Sequence, residues 1–124
     1  MARKRVLLAD DEEDIKIVLS TFLQSHGYEI ATAFDGLDTL EKVQSEKPDL
    51  ILLDIMMPVL DGYEVCKRLK ADKRTANIPI LMLSAAAHAD SIARALSAGA
   101  KDYIVKPFEP EKLLEKIKEI LAGA

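Results

Sequence analysis

Leu50-Ile51-Leu52-Leu53-Asp54 sets four aliphatic side chains in succession directly in front of a carboxylate. A strand with one wet face alternates apolar and polar residues, so an unbroken aliphatic run expects cover on both faces, as in a parallel sheet sandwiched by helices. Similar short runs stand at Val6-Leu7-Leu8-Ala9 and at Ile78-Pro79-Ile80-Leu81-Met82-Leu83, with weaker ones at Glu29-Ile30-Ala31-Thr32 and Tyr103-Ile104-Val105. Together they predict five strands. Pro79 falls near the start of the fourth, a position proline tolerates.

Between the runs the apolar spacing turns helical. Ile15, Val18, Leu19, Phe22 and Leu23 follow the i, i+3, i+4, i+7, i+8 stripe of a helix that packs one face on a core. Leu37, Leu40 and Val43 predict a second helix, Val65 and Leu69 a third, and Ile92 and Leu96 a fourth. Leu113, Leu114, Ile117, Ile120 and Leu121 predict a fifth. Gly27 and Gly99 stand where two of these helices should end, in the left-handed conformation that glycine adopts at low cost. Pro48, Pro58, Pro107 and Pro110 fall between elements, where a missing N–H does least harm. Strands alternating with helices imply right-handed crossovers, a parallel sheet and a doubly wound α/β fold.

The chain has 124 residues, the size of one compact domain, and residues 1–124 are read as a single unit. Ala122-Gly123-Ala124 has the composition of a linker to a further segment. Hydrophobic residues make up 49% and charged residues 31%, a balance of soluble globular proteins, and aromatics are only 5%, so aliphatic residues must build the interior. A net charge of −4 with a pI near 5.2 argues against direct nucleic-acid binding, which normally shows a basic face. No apolar run approaches the roughly 20 residues that span a bilayer, and no signal-peptide pattern follows the start, so no membrane role and a cytoplasmic location are expected. Cys66 is the only cysteine, which rules out an internal disulfide and reads as a core filler; His26 and His88 have no partner pattern around them.

In an open α/β sheet, ligands bind beyond the carboxyl ends of the strands where the winding reverses. The first strand ends at Asp10-Asp11, followed by Glu12, Glu13 and Asp14; the third ends at Asp54, the fourth at Ser84 and the fifth at Lys106. Helix capping and dipole complementarity account for part of the acidic run. They do not account for Asp54, which follows a buried run and faces a second acidic cluster. Like charges held close resist ionisation unless a cation relieves them. A hard divalent ion with oxygen ligands does so, Mg²⁺ typically taking one or two carboxylates, waters and phosphate oxygens. Lys106 either contacts a phosphoryl oxygen or forms a plain ion pair with an aspartate.

Four motifs occur in order: Val6-Leu7-Leu8-Ala9-Asp10-Asp11-Glu12, Leu50 to Asp54 with Ile55-Met56-Met57-Pro58-Val59-Leu60-Asp61-Gly62, Ile80-Leu81-Met82-Leu83-Ser84-Ala85, and Gly99-Ala100-Lys101-Asp102-Tyr103-Ile104-Val105-Lys106-Pro107-Phe108. Over essentially the whole chain this pattern resembles response-regulator receiver domains. The resemblance implies a flavodoxin-like five-stranded sheet of order 2-1-3-4-5. It implies Asp54 as phosphoacceptor, Mg²⁺ held by Asp10, Asp11, Asp54 and the Met56 backbone carbonyl, with Asp10 acting mostly through a bound water. It also implies that Lys106 and Ser84 contact the phosphoryl group, that Ser84 and Tyr103 form the switch, and that a cis bond precedes Pro107.

The implied phosphodonor is a phosphohistidine on a histidine kinase or histidine phosphotransfer protein. The implied output is a changed face of fourth helix, fifth strand and fifth helix, read by a downstream effector protein or a missing output domain, and this face also admits a homodimer. Such a domain is a phosphoacceptor and not a turnover enzyme. Met56 and Ala86 stand two residues after Asp54 and Ser84, where receivers that lose phosphate quickly often carry an acid or amide, so slow self-dephosphorylation is expected. Ile17 lies about 160° from the centre of the first helix's core stripe and is expected to be exposed; it and Phe108 are candidate kinase contacts.

Rival readings meet specific obstacles. A flavodoxin-like cofactor binder wants a neutral phosphate-cradling loop where this chain has Asp10-Asp11-Glu12-Glu13-Asp14. A phosphatase with an aspartyl-phosphate intermediate commonly carries Asp-x-Asp, whereas this chain has Asp54-Ile55-Met56. An inactive receiver used as a protein-binding scaffold would have no need of the complete pocket set.

Overall fold

The computed structural model describes residues 3–85 and 89–123. Ten elements alternate along it: β1 (Arg5–Ala9), α1 (Glu13–Ser25), β2 (Glu29–Ala33), α2 (Gly36–Glu46), β3 (Leu50–Asp54), α3 (Gly62–Ala71), β4 (Ile80–Ser84), α4 (Ala89–Ser97), β5 (Asp102–Val105) and α5 (Pro110–Ala122). The strands form one parallel sheet of order β2-β1-β3-β4-β5, the order expected.

The unbroken aliphatic runs are explained by the two core clusters. Leu7, Ala9, Ile51, Leu53, Ile80 and Met82 face α2, α3 and α4, whose Val43, Val65, Leu69 and Ala95 join the same cluster. Val6, Leu8, Leu50, Leu52, Leu81 and Leu83 point the other way, onto Leu19 and Leu23 of α1 and Leu113, Ile117 and Ile120 of α5. Alternate residues of one strand therefore serve opposite layers, and beyond Arg5 at the start of β1 no position in β1, β3 or β4 is free to be polar until the strand ends.

The helix ends follow local chemistry. Gly27 (φ 93°) and Gly99 (φ 108°) turn the chain after α1 and α4 as expected. Asp35 and Asp61 cap α2 and α3, accepting hydrogen bonds from the Asp38 and Glu64 amides at 2.8 and 3.0 Å. Gly62 leaves no room for a side chain, because a Cβ there would lie 2.6 Å from the Asp54 carbonyl oxygen. Its own amide donates to the Ile55 carbonyl at 2.8 Å, so α3 starts hard against the end of β3.

Several expectations need correction. The fourth strand begins at Ile80 and not at Ile78, since Pro79 has no amide to donate, although its carbonyl accepts from Ile51 at 3.0 Å. Val18, Leu37 and Leu96, assigned to helical core stripes, are 58%, 49% and 46% exposed. The stripes are wider than the faces the sheet can cover. Conversely Lys16 is buried, its ammonium 2.7 Å from Glu13, and Lys70 lays its stem inward to donate to the carbonyls of Ala76 and Ile78 at 3.0 and 2.7 Å. Cys66 is a buried filler with its thiol pushed up to about 11 by burial, and His26 is exposed; His88 lies outside the described residues. Among the described residues no helix is long and apolar enough to cross a membrane.

Replacing Gly62 with Ala forces the β3 end and α3 apart, and the expected destabilisation is about 1–3 kcal/mol, the range of core overpacking. Urea unfolding of Gly62→Ala beside the wild type measures it; an unchanged midpoint would contradict the close approach.

Candidate phosphoacceptor site

Three strand ends and one loop bring the acidic residues together. Asp10 follows β1 and is fully buried, while its amide donates to the Ala33 carbonyl at 3.2 Å. Asp54 closes β3 and is only 4% exposed. Asp11 and Glu12 complete the group from the exposed turn before α1, and one carboxylate oxygen from each of the four lies within 4.8 Å of the others. Capping does not explain the run, because the Glu12 side chain makes no cap hydrogen bond; instead the Asp10 carboxylate accepts from the Glu12 amide at 2.9 Å. Glu13 and Asp14 do fall in the first turn of α1, where they suit the helix dipole.

Lys106 reaches in from the end of β5. Its ammonium is 2.8 Å from Asp10 Oδ2, 3.5 Å from Asp54 Oδ2 and 3.6 Å from Glu12 Oε1. The peptide joining Lys106 to Pro107 is cis. Ser84, at the end of β4, is buried beside this group: Ile55 donates to the Leu83 carbonyl at 3.0 Å and Lys106 to the Ser84 carbonyl at 2.6 Å, which locks the three strand ends in register. The Met56 amide donates to Asp54 Oδ1 at 3.2 Å, while the Met56 side chain is 72% exposed.

Electrostatics set the chemistry of the crevice. Burial and the neighbouring Asp10 charge push the Asp54 carboxyl up to about 6, Asp11 adding to the rise, against the opposing pull of Lys106 and the Met56 amide. Burial alone would lower Lys106, but its hydrogen bond to Asp10 and the charges of Asp54, Asp10 and Glu12 hold it above its ordinary value. Four carboxylates thus face one ammonium. Burial raises Asp54 most, the charges of Asp10 and Asp11 add to the rise, and an all-oxygen donor set of this kind fits a hard divalent cation.

Tyr103 lies half-buried on β5 against the α2–α4 core cluster, with the Lys116 ammonium 5.9 Å from its ring centre and Lys116 itself paired with Asp102 at 2.9 Å. It is not brought to the crevice. Ala86 lies outside the described residues.

A second feature was missed by the sequence reading. Ile15, Val18, Leu19, Ala85, Pro107 and Phe108 line an apolar cleft of about 680 Å³ that opens beside Lys106, between α1 and the start of α5. Exposed Val18 belongs here, with Phe108. Ile17, 62% exposed as expected, faces a different cleft beside Phe34. The signal was Val18 itself, whose helical spacing is equally compatible with core and with a groove wall.

The model of the response regulator receiver domain family matches residues 6–118. The chain belongs to that family. Receiver domains are phosphoacceptors and not turnover enzymes, and the acidic cluster of Asp10, Asp11, Glu12 and Asp54 is of the kind they carry. Among curated relatives, the alkaline phosphatase synthesis transcriptional regulatory protein PhoP of Bacillus subtilis is 46% identical over 118 residues, covering 95% of this chain and 48% of that protein. The receiver chain thus spans about half the length of the curated relatives it matches. Among solved structures, the chemotaxis response regulator CheY4 of Vibrio cholerae superposes with a TM-score of 0.91 at 35% identity, covering 96% of this chain and 99% of that one. A two-component response regulator from Clostridium difficile gives 0.91 at 32% identity, with 97% of each chain covered.

The Asp54 shift has a pH signature. Between about pH 4, where an unfolded aspartate ionises, and about 6, the native value, the folded receiver binds more protons than the unfolded chain. Stability contributed by this group therefore falls as pH rises through that window and stays lower above it. Without metal, Asp54→Asn is expected to be more stable than the wild type at pH 7.5, with the gap closing towards pH 4. Urea titrations in chelator check this, and a gap that does not shrink on acidification would contradict the raised carboxyl.

Proposed function

We propose that Asp54 accepts a phosphoryl group from a phosphohistidine on a sensor histidine kinase or a histidine phosphotransfer protein. The observation that carries this reading is a buried strand-end carboxylate short of positive charge, 3.5 Å from a lysine and within 4.8 Å of three further acids. Asp10, Asp11, Asp54 and the Met56 carbonyl would hold Mg²⁺, Asp10 mostly through water. Mg²⁺ would supply charge neutralisation for the phosphoryl oxygens, which a loose in-line transfer mainly needs.

The chain's own groups do the rest. A carboxylate oxygen of Asp54 forms the new O–P bond as the N–P bond of the phosphohistidine breaks, leaving the imidazole nitrogen with the bond's electron pair. Lys106, held between Asp10 and Asp54, turns to a phosphoryl oxygen as charge builds there. Ser84 donates its hydroxyl to another. The product carries about −1.5 to −2 charges and three acceptor oxygens, which draw Ser84 and allow Tyr103 to move inward. Moving such a switch from mostly off to mostly on takes about 5.5 kcal/mol of differential interaction, and charge-assisted hydrogen bonds contribute at about 1.5–3 kcal/mol each. The face of α4, β5 and α5 then presents altered contacts to an effector protein, an attached output domain or a second copy.

Kinase docking is assigned to the Val18–Phe108 cleft, which adjoins Lys106 and offers apolar walls to a helix. With these roles the protein would act in the cytoplasm as part of a two-component system.

Incubation with acetyl phosphate and Mg²⁺ followed by intact mass should show one added phosphoryl group in the wild type and none in Asp54→Asn; labelling that survives the substitution would remove Asp54 from its role. The phosphorylated form should persist well beyond seconds after the donor is removed, since the apolar Met56 and Ala86 cannot orient an attacking water. Decay of the added mass within seconds in Mg²⁺ would sink that expectation.

A further inference from the structure

Four of the helices bury leucine, isoleucine or valine beneath them: Leu19 and Leu23 in α1, Val43 in α2, Val65 and Leu69 in α3, Leu113 and Ile117 in α5. α4 differs. Its buried side chains among the described residues are Ala95 and Ala98, while Ile92 is half-buried and Leu96 is 46% exposed. Apolar burial stabilises in proportion to area, so two methyl groups hold a helix far more weakly than a pair of leucines. A helix held this lightly is among the first to open or shift.

What α4 lacks on its own inner face is supplied from α3. Tyr63 is buried, and its hydroxyl donates to the Ser91 carbonyl at 3.3 Å. The Arg94 guanidinium lies over the same ring, 4.0 Å from its centre. Ser91 and Arg94 stand three residues apart and so share one face of α4, and Ala95 and Ala98 join Tyr63 in one core cluster. One side chain thus offers α4 an apolar body, a π face and a polar tip. A buried phenol needs an acceptor, so α4 cannot leave this position without orphaning the hydroxyl.

The other end of the contact is fixed. Gly62 packs so close to β3 that a Cβ there would lie 2.6 Å from the Asp54 carbonyl oxygen, and its amide donates to the Ile55 carbonyl at 2.8 Å. Tyr63 is the next residue. It is therefore tied to the phosphoacceptor strand on one side and grips α4 on the other. We propose that Tyr63 is a positioning residue that sets the pose of α4 and, through it, how readily the face of α4, β5 and α5 changes. The second half rests on the output role proposed above for that face; the first half does not.

Hydrogen–deuterium exchange of the full chain, without any phosphodonor, tests the grip. Tyr63→Phe keeps the ring in the core and removes only the hydroxyl; Arg94→Gln keeps the hydroxyl and removes the stacked cation. Amides of α4 should exchange about threefold faster in each, with those of β1 and β3 unchanged. Wild-type protection of α4 in Tyr63→Phe would overturn the proposal whatever Arg94→Gln does, since phenylalanine fills space equally well. So would a rise shared equally by β1 and β3, which would mark a loosened core. The regulatory half is read after acetyl phosphate and Mg²⁺, with the added mass on the chain verified. Exchange of α4 should then shift less in Tyr63→Phe than in the wild type, because the contact is already released, and an equal shift in both would overturn that half. Absence of the added mass would count against Asp54 and leave the grip to be judged by the first measurement.

Discussion

The central constraint is an excess of negative charge at the ends of two buried strands. Asp10 and Asp54 are both nearly without solvent, and a single ammonium, Lys106, stands between them at 2.8 and 3.5 Å. Burial first, and then the unrelieved charge of Asp10, push the Asp54 carboxyl up to about 6, and one cation does not offset both. The rest of the molecule holds this unfavourable arrangement in place. Isolated in water, the same residues would separate and hydrate.

The sheet performs that holding. Ladders on both sides of β3 fix where Asp54 emerges, and the Gly62 approach prevents the following turn from drifting away. Burial on both faces makes the strands intolerant of register error, since a one-residue slip would exchange the side chains meant for α1 and α5 with those meant for α2, α3 and α4. A site built on strand ends therefore inherits the precision of the core. The price is that the site's own charge works against folding unless a cation is present.

An apolar surface borders the crevice. The cleft at Val18 and Phe108 adjoins Lys106, with Ile15, Leu19 and Pro107 in its walls. Asp54 is itself nearly buried, so whatever reaches it must first meet the ground beside it.

Most of the architecture was legible in the sequence. Aliphatic runs without alternation required cover on both faces, helical stripes lay between them, and each run ended at a polar residue, which sufficed for a parallel α/β fold and for Asp10, Asp54, Ser84 and Lys106 as strand-end groups. Periodicity states which side of a helix is apolar; it does not state how much of that side a neighbour will cover. Hence Val18, Leu37 and Leu96 were placed in the core and proved exposed, while nothing in the periodicity marked Lys16 as buried or Lys70 as half-buried with its ammonium on two carbonyls. The strained turn at Val59 left no mark in the sequence either, because a positive φ on a valine contradicts local preference and is imposed by the chain on both sides. Local chemistry determined the elements and their reactive ends. Distances between charges, the depth of Asp54 and the apolar cleft at Val18 and Phe108 depend on contacts between residues far apart in the chain, and those exist only once the layers have packed.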